Sequence, residues 1–292
     1  MQPFSERLHE RIQQTNSRVC LGLDPRPEAH PLTHPERFGS DPAQIAKAVV
    51  NYFRAIIEAT ADAVACYKPQ AAFFEALGIP GLIALAQLMA DIRAIKIPVI
   101  LDAKRGDIGT TAAAYAQAYL GDGVFAADAL TVNPYLGVDS LEPFITQAVS
   151  AGRGLFVLVK TSNPGSRDFQ DTRLKSGQTL YEQVADTLTA LAEANRDRSG
   201  YSPVGAVVGA TYPRELAALR RRLPHSLLLV PGYGAQGGSA EDIAPAFDAR
   251  GLGAVVNASR GLTYTTTGDD FAERTRQLTL AMRDALNHAI QC

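Results

Sequence analysis

The sequence predicts an α/β protein built as a single (β/α)8 TIM barrel. Short apolar runs rich in Val, Leu and Ile recur along the 292 residues, longer helix-forming stretches separate them, and the runs number eight. Strands that are apolar throughout and alternate with helices belong to a parallel sheet covered on both faces. Eight such units in under 300 residues fit a closed barrel, with a doubly wound open sheet as the alternative.

Each element follows from its residues. The first 14 residues are polar and charged, without the apolar centre of a signal peptide, and are expected as a helical extension ahead of the barrel. Strand 18–23 ends in Asp24-Pro25, followed by an irregular stretch, 25–42, and a helix, 45–60. Strand 63–67 ends in Lys68-Pro69-Gln70 and leads to helix 80–95. Strand 98–101 ends in Asp102-Ala103-Lys104, then Asp107, and helix 110–120 follows. Strand 129–132 runs into Asn133-Pro134 and helix 140–151. Strand 155–159 ends in Lys160-Thr161-Ser162-Asn163, ahead of a second irregular stretch, 161–179, and helix 180–195. Strand 205–208 and helix 213–222 come next. Strand 227–230 opens into Pro231-Gly232-Tyr233-Gly234-Ala235-Gln236-Gly237-Gly238, before helix 240–248. Strand 254–257 precedes Ala258-Ser259-Arg260-Gly261, and helix 271–290 closes the chain. No repeat or linker divides residues 1–292, which read as one barrel domain with a C-terminal helix. Long loops in a compact domain are usually functional or mobile.

Composition narrows the function. A net charge of −2 gives no general affinity for nucleic acid or anionic membrane, so an anionic ligand needs a local cluster. The apolar runs are too short or too amphipathic for a membrane span. Cys20, Cys66 and Cys292 show no C-x-x-C spacing and are expected as free thiols of a cytoplasmic protein, the first two in the core. The five histidines fall at no strand end and show no metal spacing, so neither a metal site nor histidine catalysis is expected.

In a parallel barrel the C-terminal strand ends meet on one face, where active sites lie. An apolar strand that ends in charges is costly unless they pair or do chemistry. Asp102 and Lys104, two apart, are expected to project together into the barrel mouth. The barrel sets Lys68 on the neighbouring strand end, and alternating Lys and Asp charges hold one another ionised. Asp107, past a glycine, is expected either to return toward them or to reach a neighbouring subunit. A surface salt bridge is the plainer reading. The Gly232–Gly238 stretch alone is a turn, but with Arg260 on the next strand end the pairing predicts a phosphate site there, with Gln236 donating an amide hydrogen bond. Ser162 and Asn163 offer neutral hydrogen bonds or simply cap a loop. Phe73 and Phe74 read as core.

These residues resemble the orotidine 5'-phosphate decarboxylases. Asp102-Ala103-Lys104-Arg105-Gly106-Asp107 matches the D-x-K-x-x-D signature of that family. Leu21-Gly22-Leu23-Asp24-Pro25, Lys68-Pro69-Gln70-Ala71-Ala72-Phe73-Phe74-Glu75 and Pro231–Gly238 match other motifs, in the family's order, and fit its longer bacterial (type 2) subfamily best. The resemblance implies a homodimer that converts orotidine 5'-monophosphate to UMP and CO2 with no cofactor and no metal. It implies Lys104 as the donor of a proton to C6 and Asp102 as the carboxylate facing the substrate carboxylate, with Lys68 and Asp107 completing the network. Asp107 and Thr111 would come from the partner subunit. Asp24 and Lys68 would meet ribose hydroxyls, Ser162 the pyrimidine, and Gln236 and Arg260 the phosphate. Arg105 reads as structural, and residues 29–44 have no assigned role.

A metal-dependent sugar-phosphate decarboxylase, or an aldolase with a Schiff-base lysine, stays open as the second enzyme reading. A non-catalytic nucleotide-binding barrel is the third, opposed by an intact set of charges that are costly to bury.

Overall fold

The structure, a computed structural model, describes residues 2–234 and 238–291. The strands are β1 (Val19–Leu23), β2 (Cys66–Pro69), β3 (Ile100–Arg105), β4 (Ala129–Val132), β5 (Gly154–Lys160), β6 (Ser202–Val208), β7 (Ser226–Pro231) and β8 (Ala254–Ala258). They form one parallel sheet in the order β2-β1-β8-β7-β6-β5-β4-β3. Two isolated parallel bridges, Tyr67–Val99 and Gln70–Asp102, span the seam between β2 and β3. The sheet thus returns on itself as a barrel, and the open-sheet alternative fails.

The helices are α1 (Phe4–Thr15), α2 (Pro42–Thr60), α3 (Ala71–Glu75), α4 (Gly78–Ala94), α5 (Gly109–Leu120), α6 (Val138–Ala151), α7 (Leu180–Ala194), α8 (Pro213–Arg222), α9 (Ala240–Ile243), α10 (Arg260–Thr263) and α11 (Phe271–Gln291). Asp41 starts α2 by accepting the Ala43 N–H, with Pro42 at the first helical position. Thr179 and Glu182 form a reciprocal capping box on α7.

Three boundaries differ from the expectation in ways that matter. β2 starts at Cys66 and runs on to Pro69, so Lys68 lies inside the strand rather than past it. β3 likewise carries Asp102 and Lys104 within its length. The helix expected over 240–248 ends at Ile243 and continues as a 3-10 turn, Ala244–Ala246, because Pro245 lacks the N–H that an α-helix needs there.

Two apolar layers hold the barrel. The outer one lies between strands and helices and includes Val19, Leu21, Val157, Val208 and Val256. The inner one takes alternate strand residues, among them Cys20, Cys66, Ile100, Ala129, Phe156, Leu229 and Val255. Both core cysteines are free, as expected, while Cys292 lies outside the described residues. The N-terminal helix does more than precede the barrel. Its Phe4, Leu8 and Ile12, spaced four apart, join the inner layer and plug the N-terminal end. Phe4 meets Phe156 edge-on, with centroids 6.1 Å apart. Gly154 makes this contact fit: a Cβ there would lie 2.5 Å from the Phe4 ring. With one end filled by apolar side chains, the opening toward solvent is at the C-terminal ends of the strands.

Candidate active site

Asp102 is the centre of a charge cluster at that open end. Lys68 Nζ lies 2.8 Å from its Oδ2 and Lys104 Nζ lies 2.6 Å from its Oδ1. Gln70 Nε2 donates to Oδ2 at 2.9 Å and Thr131 Oγ1 donates to Oδ1 at 2.9 Å. One buried carboxylate therefore accepts four hydrogen bonds, two of them from ammonium groups, which satisfies both oxygens.

The electrostatics follow from this packing. Burial by itself would favour neutral Asp102, but Lys68 and Lys104 outweigh it and hold the carboxyl well below the usual range. Burial likewise opposes the charge on Lys68, yet Asp102 and Asp24 more than offset it, and its pKa is raised. Lys68 is thus a fixed cation, poorly suited to act as a free amine in a Schiff base.

Lys104 differs from Lys68 in exposure. Its side chain is 45% exposed, against 4% for Lys68, so it can reach a bound molecule without leaving Asp102. Its backbone is left-handed, with φ 47°, a conformation that a non-glycine residue adopts at some cost. The register of β3 against β4 shifts between Leu101 and Arg105 at this point. Thr131 Oγ1 holds the turn by accepting from Ala103 N at 3.0 Å and Lys104 N at 2.9 Å.

These groups line a cavity of about 550 Å³. Leu158, Val207, Leu229 and Pro231 give it apolar walls, and Thr161, Ser162, Asn163 and Gln170 line it from the segment after β5. The size and the mix of apolar wall with few polar groups suit a small molecule. The fixed ammonium–carboxylate–ammonium set can stabilise negative charge and deliver a proton.

Of the residues singled out from sequence, Asp102, Lys104 and Lys68 come together and Ser162 lines the same cavity. Asp24 lies close enough to Lys68 to raise its pKa, and Asp24 Oδ1 is buried without a hydrogen-bond partner among the described residues. Asp107 stays out of the cluster: its Oδ1 accepts the Ile108 N–H at 2.8 Å, and it makes no ion pair among the described residues. Thr111, in the first turn of α5, and Arg260, opening α10, are exposed and do not line this cavity. Arg260 has no ion pair among the described residues. Gln236 lies outside them. Arg105 pairs with Glu75 and stacks its guanidinium over Tyr115 and Tyr119 at 5.7 and 5.5 Å, a structural anchor as expected. Phe74 is core, but Phe73 is only half-buried, beneath the Arg26 guanidinium at 5.0 Å. Thr131 and Gln70 were not singled out. Thr131 carries a signal in retrospect, as the one polar residue of an apolar strand.

The Orotidine 5'-phosphate decarboxylase / HUMPS family model matches residues 17–273. The chain belongs to this family. Orotidine 5'-phosphate decarboxylase from Rhodopirellula baltica is 47% identical over 278 residues, covering 93% of this chain and 92% of that one. The Deinococcus radiodurans enzyme of the same name is 46% identical over 288 residues, covering 98% of each. Among solved structures, Leishmania donovani UMP synthase superposes with a TM-score of 0.78 at 39% identity. The match covers 98% of this chain and 57% of that one, so this barrel spans little more than half of the Leishmania protein.

Proposed function

We propose that the protein converts orotidine 5'-monophosphate to UMP and CO2, the last step of de novo UMP synthesis, with no cofactor. The observation that carries this reading is Asp102 held between two ammonium groups at the base of a nucleotide-sized cavity. The 47% and 46% identities to decarboxylases matched over nearly their whole lengths support it, and the motifs at residues 21–25, 68–75, 102–107 and 231–238 fit the longer bacterial subfamily.

The C6–carboxylate bond breaks heterolytically, CO2 leaves, and the electron pair stays on C6 as a vinyl carbanion with little delocalisation. Lys104 Nζ, already charged and already held by Asp102, stabilises that pair and then gives it a proton. Little reorganisation is needed at the moment of reaction, because Thr131 fixes the backbone and Asp102 the side chain. Asp102 faces the departing carboxylate. Lys68 keeps Asp102 ionised and contacts the ribose, and the unpartnered Asp24 oxygen accepts a ribose hydroxyl. Ser162 meets the pyrimidine. Arg260 and Gln236 grip the phosphate, whose binding energy orders the site.

A homodimer completes the site in this reading, with Asp107 and Thr111 donated across the interface. Around Asp107 the loops after β3 and β4 expose Ile108, Tyr135 and Leu136, and Val138 opens α6. Apolar side chains exposed together are a mark of an interaction surface. A cytoplasmic place fits a biosynthetic enzyme with two free core thiols, and among the described residues no helix is long and apolar enough to cross a membrane.

The test is direct. Purified protein mixed with orotidine 5'-monophosphate, without added metal, should bleach the orotate absorbance. Lys104→Ala should lose turnover while still binding UMP. No bleaching by the wild type at micromolar enzyme sinks the reading, and near-normal turnover by Lys104→Ala removes the proton-donor role.

A further inference from the structure

We propose that Lys160 is a positioning residue that fastens the 161–179 segment to the barrel wall, so that Ser162 and Gln170 are presented to the base-binding side of the cavity. The proposal rests on the functional reading above and adds a residue to it.

Lys160 ends β5 and is 1% exposed. Such a cation needs compensation, since a buried unpaired charge is strongly destabilising. The strand supplies the means. β5 shifts register against β6 between Leu158 and Lys160, which sets Leu158 opposite Val207 and Lys160 opposite Val208. Val207 belongs to the inner layer and Val208 to the outer one. An irregularity of this kind re-aims a side chain, and here it turns Lys160 away from the substrate cavity toward the helices.

Three groups receive it there. Its Nζ ion-pairs with Asp171 and lies over the rings of Tyr181 and Tyr212, 5.3 and 4.8 Å from their centroids. Tyr181 is in the first turn of α7, Tyr212 precedes α8, and Asp171 is in the long segment itself. One buried ammonium thus joins β5, two neighbouring helix starts and the loop, with cation–π attraction strengthened by exclusion of water.

The loop is cross-braced around that point. Gln170 Oε1 accepts the Thr161 N–H at 2.9 Å and Gln170 Nε2 donates to Thr161 Oγ1 at 2.8 Å. Tyr181 N donates to Gln170 O at 3.1 Å and Leu180 N to Thr172 O at 2.9 Å, which ties the segment to α7. Ser162 is pressed against the end of β6, where Gly209 leaves room: a Cβ on Gly209 would lie 2.9 Å from Ser162 N. Asp171, the ion-pair partner of Lys160, directly follows Gln170, and Gln170 and Ser162 both line the cavity with Lys68, Asp102 and Lys104. Releasing Asp171 would loosen the cavity wall formed by this segment and leave the lysine–aspartate centre untouched.

The test compares UMP with ribose 5-phosphate, which lacks the base, by calorimetry on the full-length protein. The variants are Lys160→Met and Asp171→Asn. Asp171 is 39% exposed at its side chain, so its substitution tests the proposal even if Lys160→Met fails to fold. The expected result is a loss of about tenfold or more in UMP affinity, with ribose 5-phosphate affinity within about threefold, and recovery of UMP affinity in Asp171→Glu. Equal losses for both ligands in Asp171→Asn mean general damage and overturn the proposal, as does unchanged UMP affinity. A wild type that binds neither ligand overturns the functional reading itself, a distinct outcome.

Discussion

Thr131 Oγ1 accepts the backbone N–H of Lys104 at 2.9 Å from the neighbouring strand. The same oxygen accepts from Ala103 N and donates to Asp102 Oδ1, so one hydroxyl fixes both the backbone of Lys104, the proposed proton donor, and the carboxylate that holds it. Thr131→Val keeps the volume and removes the hydroxyl. It leaves two N–H groups unpaired beside a left-handed residue, for about 1–3 kcal/mol of lost stability. With Lys104 misplaced, kcat should fall roughly 10- to 100-fold, since misplacement of that kind costs about 100-fold. Thr131→Ser should restore most of it. Steady-state kinetics and a thermal melt check both. Unchanged kcat in Thr131→Val would mean that Lys104 is held by Asp102 alone.

The reach of the sequence stops where geometry depends on irregular backbone. All eight strands were legible because a parallel barrel buries both faces of each, leaving apolar runs. Asp102 and Lys68 were legible because charges in such runs need a reason. Thr131 was not, because a threonine is an ordinary strand residue and its use depends on the register shift beside Lys104. Lys160 was visible as a strand end, but nothing in the spacing tells that a second register shift turns it outward. The first helix was underread for a different reason: polar and charged residues together dominate its composition, while its three buried apolar positions occupy one narrow stripe.

The pH dependence of stability follows from opposite shifts on the central pair. For Asp102, burial alone would raise the pKa, but Lys68 and Lys104 depress it. Its contribution is complete above the unfolded value, about 4, and is lost as pH falls through the folded one. For Lys68, burial opposes the charge, but Asp102 and Asp24 raise the pKa. Its contribution is complete below the unfolded value, about 10.4, and is lost as pH rises through the folded one. Both are therefore complete from roughly pH 5 to 9. Denaturant unfolding of wild type and Asp102→Asn should show a constant stability gap across that window, narrowing below about pH 4. A gap that stays constant down to about pH 2.5 would contradict the depressed carboxyl.

The N-terminal plug predicts a loss of stability remote from the chemistry. Phe4 is buried against Phe156 in the inner layer, so Phe4→Ala should cost about 3–5 kcal/mol. Gly154→Val should cost a similar amount by driving its side chain into the Phe4 ring. The two changes share one contact, so their effects should not add. Because the plug and the Asp102 cluster occupy opposite ends of the barrel, KM and kcat of the folded fraction should stay within about twofold, a stability change without an activity change. A tenfold loss of kcat at a temperature well below the melt would show that the plug also sets the geometry of the strand ends.

Arg260 is exposed at the start of α10, after the strand end where barrels hold phosphate. It forms no ion pair among the described residues, so a bound phosphate would not have to compete with a neighbouring carboxylate for it. A charge-assisted hydrogen bond is worth about 1.5–3 kcal/mol, so Arg260→Ala should weaken UMP binding roughly 10- to 150-fold while leaving uridine binding unchanged. The wild-type preference for UMP over uridine should also shrink as salt is raised, because an exposed cation is screened over about 10 Å at 0.1 M. Binding of both ligands to both proteins at two salt concentrations checks this. Equal weakening of UMP and uridine by Arg260→Ala would assign Arg260 to the folding of its loop and leave the phosphate to other groups.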